Sequence, residues 1–386
     1  MAQESISKNI AIIGGGPAGC ICAKFLIDRN IEVTIFEGGK LLHTLLPTGG
    51  GKCNLAHAEY DFKELAKNYP RGEKFLYSIF SRFSTFDTVE FFKSIGVETY
   101  TREDNRIFPL SNSSKDVREK FLKSIQKAKV INKKVNHIKN LPNGWEIKAD
   151  GCSYLYDTVI IATGGIIKNN LIDLPDINVI NPTQALVGFK TQKNFSELAG
   201  VSIKNVQYKN ITGDILFTHK GVSGPLIYTV SSLNAKKEFP QTIVLKLIKD
   251  IDAQELLNEN SHKEIKNLLG QLVPKSFAQW FLNDLGISGD IPCHKIDGKT
   301  RDLIFDSLKN FELTILGGIP DSEVVTCGGI DLNEINPKTL EAKKYPNLYF
   351  CGEVLDIDGL CGGFNLQNCW STGYVAAQSI IEKFTD

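Results

Sequence analysis

No Cys-x-x-Cys pair occurs among the nine cysteines of this 386-residue chain, which argues against a dithiol relay. The nine are an odd number and scattered, the usage of reduced, buried small hydrophobes. There is no net charge, since 44 basic side chains balance 44 acidic ones; no basic field points to nucleic acid, and no polybasic flank to an anionic membrane. The opening Met-Ala-Gln-Glu-Ser lacks a basic signal region, and the apolar stretch from Ile10 to Ile27 is broken by glycines and Lys24. A cytoplasmic protein without a membrane span is therefore expected. Internal repeats and low-complexity linkers are absent. Cys53 and His57 stand four apart, but no second ligand pair lies nearby, so no metal site is expected.

What is present is a glycine fingerprint. An apolar strand, Ile10 to Ile13, runs into Gly14-x-Gly16-x-x-Gly19 and a helix from Pro17 to Asp28. Gly14 permits the tight turn, Gly16 lets backbone approach a pyrophosphate, and Gly19 allows helix to pack on strand. With Pro17 and Ala18 they form a helix N-terminus suited to an anion. A second strand, Ile31 to Phe36, ends at Glu37, placed to bind an adenosine ribose and to repel a 2′-phosphate. More than three hundred residues later, Tyr349 to Gly373 repeats the logic of strand, glycines and helix. One dinucleotide gripped from both ends of the chain accounts for both.

Thr48 to Asn54 reads T-G-G-G-K-C-N. It is not a P-loop, because Leu46 occupies the first glycine position and Cys53 the magnesium-binding position. An extended glycine segment against a planar ring is expected instead, with Lys52 and Asn54 donating to the ring's polar edge. Residues 62–96 read as helical with an aromatic core stripe, and Arg106 to Leu110 as an extended link. A helix is expected over Lys115 to Lys127, then strands over Val130 to Lys139, Trp145 to Ala149 and Ser153 to Tyr156. Thr158 to Gly165 reads as a buried parallel-type strand ending in a glycine turn. Short alternating segments from about Gly188 to Lys249 suggest an antiparallel sheet or small barrel, and 252–310 turns helical. The fold class is thus α/β: a discontinuous Rossmann-like domain over 1–187 and 325–386, a β-rich insert over 188–251 and 311–324, and a helical subdomain over 252–310.

The blocks G-G-G-P-A-G, G-G-G-K-C-N, R-I-F-P-L-S, I-A-T-G-G, L-F-T-H-K-G-V-S-G-P, G-G-I-D-L-N-E-I-N-P-K-T-L and the C-terminal stretch resemble the BaiN/YhiN-type (aminoacetone-oxidase-like) family of FAD-dependent oxidoreductases, in the glutathione-reductase-like flavoprotein group. The resemblance implies noncovalent FAD, a β-barrel-like insert and a small helical subdomain. It further implies that Val135 offers backbone contacts to adenine and that Thr163 and Gly164 flank the cofactor. Gly352 and Glu353 would meet the ribityl chain, and Gly362, Gly363, Phe364 and Asn365 would bring a helix N-terminus to the isoalloxazine pyrimidine edge. A positive dipole end there stabilises the charge of the reduced flavin. Cys53, Cys361 and Cys369 fall within these motifs as packing groups.

The chain departs from the family pattern in three places. Lys52 replaces the usual Arg, Ala56-His57 replaces Thr-Asn, and the stretch from Ile166 to Pro182 is short, without the Ser-Tyr-Pro loop or Gly-Asp-Gly helix. Only one dinucleotide fingerprint is visible, so NADH or NADPH would dock transiently as electron donor. His219 is the candidate to line the substrate side or move a proton. The expected activity is NAD(P)H-dependent reduction of a small unsaturated or carbonyl-conjugated substrate. The alternatives are an amine oxidase releasing hydrogen peroxide and a flavin-containing RNA-modifying or regulatory protein. Nothing in the sequence sets the oligomeric state.

Overall fold

The computed structural model describes residues 9–165, 174, 176–320 and 324–385. The chain divides into two compact units, 1–183 with 325–386, and 184–324. Of the unusual 166–182 stretch, residues 166–173 and 175 fall outside the described residues, and the strand Val179–Ala185 begins within it.

The first unit is organised on a five-stranded parallel sheet in the order Leu348–Phe350, Thr158–Ile161, Ile10–Ile13, Val33–Phe36, Lys129–Ile131. The inner strands are buried along their whole length, as their unbroken apolar runs require when both sheet faces are covered. Order reverses beside Ile10–Ile13, whose neighbours come from residues 33–36 on one side and 158–161 on the other. In such sheets ligands bind outside the carboxyl ends of the strands at this reversal. Both Gly14 and Ala162 lie there.

The helix Pro17–Asp28 follows the expected bounds, with Pro at its start. The 62–96 region forms three helices, Phe62–Ala66, Glu73–Phe80 and Thr85–Ser94. Pro70 and Gly72 separate the first two, and a Ser84/Asp87 capping box starts the third. Within the expected aromatic stripe, Ile79, Phe83, Phe91 and Phe92 are buried, whereas Phe86 is 59% exposed. The run from Val130 to Lys139 is two strands: Lys129–Ile131 completes the parallel sheet, and Val135–Leu141 begins a separate meander with Gly144–Ala149 and Cys152–Tyr156. Arg106–Pro109 is a true strand, pairing with Ala56–His57 and Thr99–Thr101.

The second unit contains a six-stranded sheet running from Ser202–Tyr208 through Ile211–Thr218, Gly221–Ser223, Phe189–Thr191 and Phe311–Gly318 to Gln241–Leu245. Reciprocal backbone bonds between Gln207 and Lys246, of 2.9 and 2.8 Å, join its two edges and close it into a barrel. Helices between residues 253 and 309 share the barrel's core: Phe277 stacks on Phe217 at 5.5 Å and meets Phe311 at 5.9 Å.

Candidate FAD site

The residues expected to hold the dinucleotide converge within the first unit. Gly14 has φ +108°, and a Cβ there would lie 2.3 Å from the Ala162 carbonyl oxygen, so only glycine allows the two central strands to end side by side. A Cβ on Gly19 would lie 2.1 Å from the Gly14 oxygen, which fixes helix against turn. Gly16 differs in kind. Its φ and ψ of −77° and −173° suit any residue, and no atom lies nearer to its Cβ position than Thr44 Oγ1 at 4.0 Å. Space is therefore left open over the first helical turn, which carries no acidic side chain. That is the cradle a pyrophosphate needs.

Glu37 stands at the end of its strand and accepts from the backbone N–H groups of Gly15 and Gly39, each at 2.7 Å. One carboxylate thereby fixes the glycine turn and keeps spare lone pairs for ribose hydroxyls. Val135 is buried in the adjoining meander, and its neighbour Lys134 packs on Gly38. Thr163 and Gly164 extend from the strand Thr158–Ile161; Gly164 has φ +75° and open space around it.

The C-terminal half closes on this turn. A Cβ on Gly352 would lie 2.7 Å from the Ala18 Cβ, and the Gly352 N–H donates to Thr372 Oγ1 at 2.9 Å. Glu353 accepts from the Thr326 N–H at 2.8 Å. Burial pushes its carboxyl up to about 7, despite the bond from Thr326, with Asp358 adding to the rise. The C-terminal helix Phe364–Thr385 has no acid in its first turn. Gly363 before it has φ +100°, and a Cβ there would meet the Ala56 carbonyl at 2.6 Å and Asn54 Oδ1 at 2.9 Å. Asn54 is 8% exposed, and its Oδ1 has no hydrogen-bond partner among the described residues. An orphaned buried acceptor beside a helix N-terminus fits a cofactor with a polar, hydrogen-bonding edge.

One expectation is revised. Gly49, Gly50 and Gly51 are not extended: their φ values are +58°, +67° and +84°, and Cys53 N–H donates to the Thr48 oxygen at 2.9 Å. The segment is a compact left-handed turn, with Lys52 exposed and Cys53 buried beneath it, its thiol pushed up to about 12 by burial. The Asn365 amide exchanges two 2.9 Å bonds with the Gly359 backbone, shaping the loop before the helix. Phe364 is buried, T-shaped to Tyr69 and stacked on His57.

Several framing residues were not anticipated. Tyr69 donates to the Phe364 oxygen at 2.6 Å, Trp370 Nε1 donates to the Leu55 oxygen at 3.0 Å, and Arg71 forms an ion pair with fully buried Asp358. None follows from local pattern, because each partner lies nearly three hundred residues away or more. His219 belongs to the second unit, exposed in the turn between Ile211–Thr218 and Gly221–Ser223.

Glycine turns opening two helices, an acid at a strand end and a Rossmann-like parallel sheet are the features of an FAD-dependent oxidoreductase. The chain belongs to the HI0933-like protein Rossmann domain family, whose model matches residues 8–379. It is 28% identical to a ribosomal RNA dihydrouridine synthase of Escherichia coli, over 96% of this chain and 97% of that one. It is also 28% identical to a 3-dehydro-bile acid delta(4,6)-reductase of Clostridium scindens, over 97% of this chain and all of that one. Among solved structures, the fold matches the apo Sdh1 complex of Mycobacterium smegmatis with TM-score 0.50 and 13% identity, over 98% of this chain and 68% of that one. An open flavocytochrome c3 fumarate reductase matches with TM-score 0.50 and 12% identity, over 98% and 79%. No described helix is long and apolar enough to cross a membrane.

The open space at Gly16 gives a direct check on the cradle. Gly16→Val is expected to leave apo-protein melting unchanged, because nothing is displaced, while filling the space over the first-turn N–H groups. FAD affinity, measured by quenching of flavin fluorescence, should fall at least about tenfold, about 1.4 kcal/mol. Unchanged affinity would place the pyrophosphate elsewhere.

Proposed function

We propose that the protein reduces a carbon–carbon double bond conjugated to a carbonyl, with NADH or NADPH as electron donor. The observation that carries this reading is the chemistry shared by its relatives' names. A uridine that becomes dihydrouridine and a 3-oxo steroid with 4,6-unsaturation both present a double bond activated by a neighbouring carbonyl. When bound, FAD supplies the hydride at N5.

The chain's own part is positional. The turn at Gly14 to Gly19 anchors the pyrophosphate, Glu37 the ribose, and the segment around Gly352 and Glu353 the ribityl chain. The N-terminus of the C-terminal helix, free of acidic side chains, favours negative charge on the pyrimidine edge. Asn54 completes that edge as acceptor, and Lys52 lies on the turn beside it. A small enone is the first reading of the substrate. A uridine in ribosomal RNA is the second, favoured by the name of the Escherichia coli relative and by that of a Haemophilus influenzae relative, also called a ribosomal RNA dihydrouridine synthase.

The test is product analysis under anaerobic NADPH. A steroid 4,6-dien-3-one gaining two hydrogens supports the first reading, and dihydrouridine formed in added ribosomal RNA supports the second. Neither product, with stoichiometric peroxide from an amine in air, would replace both with an oxidase. His219 is proposed as the proton-moving group in either reaction. His219→Asn should lower kcat at least about tenfold with flavin content unchanged, in the range of a lost general acid or base. Unaltered kcat would remove it from the chemistry.

A further inference from the structure

His57, where the family pattern has Asn, is tied to the segment proposed to meet the flavin's pyrimidine edge. Its strand, Ala56–His57, is held between Arg106–Pro109 and the start of the C-terminal helix, with His57 paired opposite Arg106. His57 Nδ1 lies 3.2 Å from the Gly362 carbonyl oxygen, and its ring stacks on Phe364 with centroids 4.6 Å apart and an interplanar angle of 28°. A carbonyl only accepts, so Nδ1 carries the hydrogen in both protonation states. Nε2 is then the atom that gains or loses a proton, and the ring need not move when it does.

The groups facing this imidazole are few. Glu59 and Asp104 favour its cation and Arg106 opposes it, while burial is the largest influence and holds its pKa below the ordinary value. Arg106 is itself neutralised by Asp104, through bonds of 2.9 and 2.5 Å. Cys361, beside Gly362, is kept protonated by burial. The first turn of the C-terminal helix contributes no acid, and Lys52 is directed to solvent. The loop's own carboxylates stand earlier, at Asp356 and Asp358, the latter paired with Arg71, and the charges that act on His57 are Asp104, Glu59 and Arg106.

We propose that His57 is a proton-linked positioning residue: Nδ1 holds the Gly362 loop in place while Nε2 takes up a proton when the cofactor is reduced and releases it on reoxidation. The inference rests on the reading that FAD places its pyrimidine edge at Gly362 to Asn365. The balance is simple. Two electrons from the nicotinamide and one proton go to the cofactor, and a second proton, from solvent, goes to His57 Nε2. Negative charge on the reduced cofactor favours the imidazolium, and by reciprocity the imidazolium favours reduction.

The test is the flavin midpoint potential of the holoenzyme between about pH 5 and 9, measured against reference dyes for wild type, His57→Gln and His262→Gln. At acid pH the wild-type potential should exceed that of His57→Gln by about tenfold in the reduction equilibrium, about 30 mV for two electrons. The gap should close as pH rises and His57 becomes neutral in both redox states. His262→Gln, in the other unit, should show no gap. A gap that is absent, or equal at every pH, would overturn the proposal, the second outcome indicating a steric role only.

Should His57→Gln bind FAD poorly, the wild-type protein answers by itself. The His57 ring, followed by NMR, should titrate at a higher pH in the reduced than in the oxidised holoenzyme, and equal titration overturns the linkage. Wild-type protein without bound FAD would overturn the cofactor reading and the proposal together, whereas bound FAD with an unlinked potential overturns the proposal alone.

Discussion

Gly373→Val is expected to destabilise the protein by about 3 kcal/mol, the upper end of what overpacking a close-packed interface costs. Gly373 is buried in the middle of the C-terminal helix, where a Cβ would lie 2.4 Å from Ile21 Cγ2 and 2.5 Å from the Ala18 backbone oxygen. The first contact can be relieved by a rotamer change; the second is with backbone and cannot. The two helices must separate, and they carry the two glycine cradles. Loss of stability should therefore come with loss of FAD, because Ala18 also packs against Gly352. Urea unfolding with flavin retention as a second readout checks both, and a variant as stable as wild type would contradict the close helix approach.

The second large effect concerns pH. Glu353 has its carboxyl raised from the ordinary 4.5 to about 7, chiefly by burial. A raised acid is neutral in the folded apo-protein where it is already ionised in the unfolded chain. Its contribution to stability is thus fully present below about pH 4.5 and is lost as pH rises through about 7. A fully enclosed carboxyl with this shift would lose about 3 kcal/mol over that window. Glu353 keeps part of its surface, so about 2 kcal/mol is the better figure. Glu353→Gln should flatten the apo-protein's stability between pH 4.5 and 7 and raise it at pH 8. An unchanged slope would assign the pH dependence to other groups.

The parallel sheet and its first helix were legible because their signals are local: apolar runs bounded by glycines, a proline at a helix start, an acid at a strand end. The barrel was legible as alternating short strands, although its closure through Gln207 and Lys246 was not, since neither residue carries a mark of pairing. The boundary within Val130 to Lys139 was hidden because both pieces alternate alike, and only the distant partners of each assign them to different sheets. The glycine turn at 49–51 was misread for a similar reason. Glycine permits extended and left-handed backbone about equally, and the bond from Cys53 to Thr48 decides between them.

The site followed the same division. Residues acting through their own backbone, such as Gly14, Gly16 and Gly363, announce themselves by type. Residues acting across the fold do not. Tyr69, Trp370 and the Arg71–Asp358 pair each anchor the C-terminal helix or the loop before it from far away in sequence. The Asn365 side chain, which bonds the Gly359 backbone and shapes the loop before the helix, carries no local mark of that role either.

The most direct test of the account is the visible spectrum of the purified protein, followed anaerobically through addition of NADH or NADPH and then of an enone or ribosomal RNA. Flavin absorbance should bleach with a nicotinamide and return with the acceptor before any air is admitted. Bound flavin indifferent to both nicotinamides would contradict the reductase reading, and no flavin even after incubation with FAD would contradict the site itself.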